Sequence, residues 1–387
     1  MEVASVYSIF NHLKYMTRNL FFGFALLMLC QCQPTEQATI VKEEPVPAKN
    51  IILLIGDGMG VTQVTSRFFY GEGKPNFQRF PYVGLIKTSS SREKITDSAA
   101  GATAFSAGVK TYNGAIGVAD DSTSVETIVE LVADDLSTGL VATSSIVHAT
   151  PASFYAHVPA RSQYEEIAAQ LTTSSVDFFA GGGTQFFVER EDEANYLDTL
   201  AQYGFTVDTA QLQKPNDLSM EQKYGFLLAP DGMPKMQEGR GDFLPQATQM
   251  ALEYLSQDED GFFLMVEGSQ IDWGGHANDA EYIIEEVKDF DKALGVALDF
   301  AEQDGNTLVV VTADHETGGF ALSSGETYDE LVGTFSTGGH TPDLIPVFAF
   351  GPGAESFAGI YENNDIFSKM LDATGWSREA ASMASTE

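Results

Sequence analysis

Asn50–Gly60 reads NIILLIGDGMG: five consecutive apolar residues, Ile51 to Ile55, run into Gly56 and Asp57 and then into two further glycines. A run that is apolar at every position, not every second one, predicts a strand covered on both faces, and the glycines predict a tight turn at its end. The form recurs in GLVATSSIVHATPASF (Gly139–Phe154), GFFLMVEGS (Gly261–Ser269), NTLVVVTADHETGG (Asn306–Gly319) and IPVFAFGPG (Ile345–Gly353), with helical patterns between. Buried strands alternating with helices predict an α/β fold, a three-layer α/β/α sandwich around a central, mostly parallel sheet. Ligands of such sheets bind at the carboxyl ends of the strands. Asp57, His148, Glu267, Asp314 and His315 all fall there. Residues 185–245 are more polar and read as an insertion or surface lobe. No internal repeat is visible, and the RGD tripeptide at Arg240–Asp242 is a chance match of three residues.

With 387 residues, 43% of them apolar, the chain can bury a large core and is not globally disordered. Its net charge of −34 repels nucleic acid and anionic membranes, so neither is expected as a partner. Any anion site must therefore be built locally, for example from bound cations. The two cysteines, Cys30 and Cys32, directly follow the apolar run NLFFGFALLML (Asn19–Leu29). That run, preceded by Lys14 and Arg18, is too short to span a bilayer comfortably and reads as an export signal over residues 1–32, with Met1 or Met16 as the start. A cysteine at the end of such a run fits a lipid-anchored envelope protein. Leu29 and Gln31 stand where that signal expects a small residue, so plain export to the periplasm or the medium is the alternative. Residues 33–49, QPTEQATIVKEEPVPAK, read as a linker, 50–376 as the catalytic domain, and 377–387 as a frayed tail.

TDSAAGATAFSAG (Thr96–Gly108) sets Ser98 directly after Asp97, at the expected start of a helix, in a run of very small residues. No histidine is near it in sequence to act as a base. Beyond the leader the chain has His148, His157, His276, His315 and His340. VEGSQIDWGGH (Val266–His276) puts Glu267, Asp272 and His276 close together, with Asp272 and His276 spaced for one face of a helical turn. Asp314 and His315 are adjacent, and His340 lies in the glycine-rich STGGHTPD (Ser336–Asp343). Any one such pair reads first as a salt bridge or a cap. Several at strand ends, in a chain with so few histidines, point to Zn²⁺, which prefers imidazole and carboxylate. A cation lowers the pKa of a hydroxyl, so Ser98 would need no separate base, and two cations about 4 Å apart suit displacement at phosphorus. Arg161, closing HATPASFYAHVPAR (His148–Arg161), could clamp non-bridging oxygens.

These segments, together with LIGDGMG (Leu54–Gly60), TDSAAGATAFSAGVKTYNGAIGV (Thr96–Val118), FFLMVEGSQIDWGGHANDA (Phe262–Ala280) and GGHTPD (Gly338–Asp343), resemble the alkaline phosphatase family from about Asn50 to about Gly359. The resemblance implies a homodimer that hydrolyses small phosphate monoesters through a phosphoserine, for phosphate acquisition outside the cytoplasm. It implies Ser98 as nucleophile and Arg161 as phosphate clamp. It implies Asp272, His276 and His340 as ligands of a zinc serving water and the leaving oxygen, and Asp57, Asp314 and His315 as ligands of a zinc activating Ser98. Asp57 would bridge to a third site with Thr150 and Glu267, expected to hold Mg²⁺. His148 stands where some members carry aspartate near the third metal and is counted among the candidate metal residues there, and Trp273 stands where some carry lysine or histidine. Mg²⁺ held directly, Mg²⁺ held through water, Zn²⁺ and Co²⁺ all stay open for that third site. The short Glu316–His340 segment implies an open site and a reduced dimer interface. His157 is assigned to packing, and Lys110 and Tyr112 to no chemical role.

Two rivals remain. A phosphodiesterase of the same superfamily would carry threonine as nucleophile and lack an arginine placed like Arg161. A sulfatase would need a modified cysteine or serine in its own motif. A non-catalytic cation-binding envelope protein would be indifferent to loss of Ser98.

Overall fold

The computed structural model describes residues 46–214 and 218–377. The export segment, the cysteines read as lipidation sites, most of the linker and all of the tail beyond Ser377 lie outside the described residues. Within them the chain is tied down from Ala48, whose N–H donates to the carbonyl of Ala373 at 2.8 Å. No helix among the described residues is long and apolar enough to cross a membrane.

Ten strands form one sheet: β1 (Asn50–Gly56), β2 (Tyr82–Lys87), β3 (Ser137–Ser145), β4 (Phe178–Gly182), β5 (Phe205–Asp208), β6 (Lys223–Leu227), β7 (Phe262–Gly268), β8 (Thr307–Thr312), β13 (Ile345–Phe350) and β14 (Gly359–Glu362). The short strands β9 (Glu316–Thr317), β10 (Ala321–Ser324), β11 (Leu331–Thr334) and β12 (His340–Thr341) pair outside it, β9 with β12 and β10 with β11. The spatial order β14-β2-β13-β8-β1-β7-β3-β4-β6-β5 puts the apolar Ile51–Ile55 run near the middle, with parallel partners on both sides. Only β13 runs against its neighbours β8 and β2. Every residue of β1, β3, β7 and β8 is buried, which is why β1, β7 and β8 carry unbroken apolar runs, Ile51–Ile55, Phe262–Val266 and Leu308–Val311, while β3 (STGLVATSS) fills its covered position with small Ser, Thr, Gly and Ala around Leu140 and Val141.

Two groups of helices flank the strand ends that matter here. The Val61–Phe69, Phe243–Leu255 and Gln270–His276 helices pack on the long Ala280–Asp304 helix, and the Ala149–Ala152 and Asp365–Thr374 helices pack on Ser98–Ala107. The Ser98–Ala107 helix begins where the Asp97 side chain accepts from Ala100 N–H and ends at Gly108, whose φ of 72° closes the last turn. All its residues are buried. A Cβ at Gly101 would sit 2.8 Å from Asp314 Cβ, so the small residues of this helix let it lie against the end of β8.

The expectation of a surface lobe over residues 185–245 is corrected. Residues 205–208 and 223–227 are β5 and β6, which complete the sheet at one edge, with β6 paired to β4. Their polar composition reflects an edge position: β5 keeps only Phe205 buried. Arg240 of the RGD tripeptide is buried and paired with Glu286 and Asp289, which leaves it unavailable to an adhesion partner.

Candidate active site

Four adjacent strands, β8, β1, β7 and β3, end side by side and deliver the polar residues. Asp57 follows β1, Asp314 and His315 follow β8, Glu267 closes β7, and His148 and Thr150 follow β3. The Gln270–His276 helix carries Asp272 and His276 on one turn, as their spacing predicts. The β3–β4 pairing shifts register between Val141 and Ser145, and the freed Ser144 hydroxyl donates to Glu267 Oε2 at 3.2 Å.

The side chains fall into three groups: Asp272, His276 and His340; Asp57, Asp314 and His315; and Asp57, His148 and Glu267. In each group the candidate ligand atoms lie within 4.8 Å of one another, and Asp57 belongs to two of them. Neither oxygen of the buried Asp57 accepts a hydrogen bond, and Asp314 Oδ2, Glu267 Oε1 and His148 Nδ1 are likewise buried without a partner. The Thr150 hydroxyl makes no hydrogen bond of normal geometry, yet lies close enough to Glu267 to favour its charged form. Orphaned buried polar atoms are costly and rare. Divalent cations would satisfy the oxygens among them, and the donor set of imidazole, carboxylate and hydroxyl suits such ions.

The electrostatics agree. Burial, then the charges of Asp314, Asp272 and Glu267, pushes the Asp57 carboxyl well above its ordinary range. Burial likewise raises Glu267 and Asp314. Burial holds His315 and His148 down to about 3, so both imidazoles are neutral and carry a lone pair. Carboxylates crowded together, with burial and mutual repulsion outweighing the nearby Arg161 charge, beside neutral imidazoles, form a pocket adapted to cations.

The hydrogen bonds fix which ring nitrogens are free. His340 Nδ1 lies 2.9 Å from the Thr96 carbonyl and His276 Nδ1 lies 2.8 Å from the Gly338 carbonyl. A carbonyl only accepts, so both Nδ1 atoms carry hydrogen and both Nε2 atoms are available as ligands. Ser98 Oγ, at the first position of its helix, lies 3.3 Å from His315 Nε2. Arg161 donates to Asp97 Oδ2 at 3.0 Å and meets His148 Nε2 at 3.3 Å.

The family model for alkaline phosphatase matches residues 48–333. The chain belongs to the alkaline phosphatase family. Alkaline phosphatase 3 of Bacillus subtilis is 33% identical, over 84% of this chain and 88% of the relative. The solved alkaline phosphatase of the Antarctic bacterium TAB5 is 56% identical, with a TM-score of 0.85 over 87% of this chain and 100% of that one. A variant of that enzyme with one histidine replaced by aspartate has Mg bound in its M3 site. This phosphatase is a phosphomonoester hydrolase.

In the phosphatase the residues that the sequence offered for chemistry, Asp57, Ser98, His148, Thr150, Arg161, Glu267, Asp272, His276, Asp314, His315 and His340, lie in this one region. Distance along the chain hid three of its features. His315 lies 217 positions from Ser98, so the imidazole absent from the local sequence comes from another strand end. Asp97, first read as a helix start, also holds Arg161, and its Oδ1 accepts from Gly114 N–H at 3.0 Å. Asn113 braces the segment leading into Ser98, accepting from Asp97 N–H and donating to the Ile95 carbonyl. No pattern in the sequence marks Asn113. His157 fills the packing role assigned to it, between Gly117 and Glu130.

Proposed function

We propose that the phosphatase works through a phosphoserine at Ser98, with Zn²⁺ at two of the side-chain groups. Asp57, Asp314 and His315 would hold one zinc, and Asp272, His276 and His340 the other. Asp57, Thr150 and Glu267 would hold Mg²⁺. When bound, the ions supply positive charge that lowers the pKa of a hydroxyl and offsets charge developing on the leaving oxygen.

The residues of the chain do the rest. Ser98 Oγ forms a bond to phosphorus as the bond to the ester oxygen breaks, and the alcohol leaves. The Arg161 guanidinium, steadied by Asp97, binds the non-bridging oxygens, aided by the N-terminus of the Ser98–Ala107 helix. Water then attacks phosphorus, the Oγ–P bond breaks, and phosphate is released. His148 acts on the third ion indirectly. Arg161 can only donate, so His148 Nε2 accepts and Nδ1 keeps the proton.

One observation carries this reading. Ser98 Oγ and the Asp314 and Asp57 oxygens surround a single nitrogen, His315 Nε2, at 3.3, 3.2 and 3.5 Å. One imidazole lone pair cannot serve all three groups, whereas a cation among them can. Metal analysis of the purified protein, with monoesterase activity followed through chelation and add-back, tests it. Full activity in metal-free protein would overturn it. Preference for a nitrophenyl monoester over the matching diester is the companion expectation.

The same reading takes 50–376 as the catalytic domain, exported behind the N-terminal segment to the periplasm or envelope for phosphate acquisition. It takes a homodimer as the working form and lipidation at Cys30 or Cys32 as the means of anchoring. The Glu316–His340 segment folds compactly into β9 and the β10–β11 hairpin, which supports an open site and a small dimer interface.

A further inference from the structure

The Thr317 side chain is fully buried and touches ligands of both proposed zinc groups. Its hydroxyl donates to Asp272 Oδ1 at 2.5 Å and meets His315 Nδ1 at 3.2 Å. Thr317 also pairs across β9–β12 with His340, and its N–H donates to the carbonyl of Gly58, next to Asp57. One residue thus contacts the segments carrying Asp57, Asp272, His315 and His340.

A hydroxyl has one hydrogen. Asp272 as a carboxylate can only accept, so that hydrogen is committed to it. Toward His315, the Thr317 oxygen must then accept, and Nδ1 must be the nitrogen that carries hydrogen. This leaves the His315 lone pair on Nε2, the atom that faces Asp57, Asp314 and Ser98. The chain of donors therefore runs from His315 through Thr317 to Asp272, from one group into the other.

The surroundings hold Thr317 in this pose. A Cβ at Gly58 would lie 2.8 Å from Thr317 Oγ1, and a Cβ at Gly275 would lie 2.9 Å from both Thr317 Cβ and Cγ2. Two glycines on separate elements make room for this side chain and leave it no space to turn.

We propose that Thr317 is a positioning residue that couples the two zinc groups, fixing the tautomer of His315 and the orientation of Asp272 with one hydroxyl. This rests on the two-zinc reading above.

The test compares the zinc-loaded parent with Thr317→Val, which keeps the shape and removes the hydroxyl, and Thr317→Ser, which restores it. Zinc loss to excess chelator is followed with metal content, and the His315 ring N–H proton is followed by NMR in the loaded protein. Thr317→Val should lose zinc from both groups roughly tenfold faster or more, as supporting partners of metal ligands typically contribute. Its His315 N–H signal should lose the hydrogen-bonded shift and exchange faster with water. Thr317→Ser should stay within about threefold of the parent and keep the signal. Unchanged zinc loss in Thr317→Val would overturn the proposal, as would acceleration at one group alone. Loss of the signal and of zinc in Thr317→Ser as well would also overturn it, because space-filling would then be the role. A parent that binds no divalent ion would instead end the two-zinc reading itself.

Discussion

His276 Nε2 and His340 Nε2 face each other at 3.1 Å, and each ring has its Nδ1 hydrogen on a backbone carbonyl. Rings so oriented set Nε2 against Nε2, with Asp272 Oδ1 at 3.4 and 3.7 Å as a third atom able to bind a cation. The backbone thus holds open a position that only a shared cation or proton can satisfy. His340→Ala should lose about one zinc per chain and lower kcat/KM by roughly 100-fold, in line with losing a metal ligand. Elemental analysis beside monoester kinetics checks this, and full metal content with full activity would refute it.

Ser98→Ala removes the proposed attacking atom and its contact with His315 Nε2 but spares the helix cap, which Asp97 supplies. Turnover should fall on the order of 10³-fold or more while zinc content stays at the parent level. Trapping of labelled phosphate on the protein should disappear. Indifference to this change would favour the non-catalytic reading.

Arg161→Ala should weaken inhibition by inorganic phosphate by about 1–2 kcal/mol, the worth of a charge-assisted contact that is partly solvated. The side chain keeps 26% of its surface exposed, which argues against a larger figure. An unchanged phosphate Ki would remove Arg161 from the site.

Gly101→Ala tests the closeness of the Ser98 helix to β8. The new methyl would press on Asp314, so Asp314 and the helix must move apart. Overpacking of this kind costs about 1–3 kcal/mol of stability. Zinc retention should fall more than thermal stability does. Chelator titration and calorimetry on the same preparation decide between them.

His157 gives a pH dependence separate from the site. Its Nδ1 and Nε2 lie 2.6 Å and 2.8 Å from Gly117 O and Glu130 Oε1, both acceptors, so the ring must be doubly protonated to make both bonds. The bond to Glu130 raises His157 above its ordinary 6.5, against burial, which lowers it. Glu130 is pushed up by burial, but its bonds to His157 and Thr127 hold it below 4.5 overall. The His157 contribution is therefore complete below pH 6.5 and fades as pH rises through its raised value. The Glu130 contribution is complete above pH 4.5 and fades as pH falls through its lowered value. The stabilisation peaks between these limits. His157→Gln should cost about 0.5–1 kcal/mol near pH 6 and clearly less under alkaline conditions. Denaturant melts at the two pH values test it, and an equal loss at both would contradict the charge-based origin.

The sequence by itself determined the strands that carry the site. β1, β7 and β8 carry unbroken apolar runs because both faces are covered, and that pattern needs no partner to be read. It also determined the chemistry, since Asp57, Glu267, Asp272, Asp314 and His315 sit where apolar runs stop, and it marked Asp272 and His276 as one helical turn. Polar edge strands such as β5 escaped, because an edge lacks the burial that makes a strand recognisable. Only the tertiary structure decided which atoms meet. The sheet order brings Ser98 to His315, Arg161 to Asp97, and Thr317 to Asp272, pairs 217, 64 and 45 residues apart. A side-chain hydrogen bond acts over about 3 Å and leaves no periodic trace along the chain. The tautomers and the unpartnered oxygens became legible only once the strand ends were side by side.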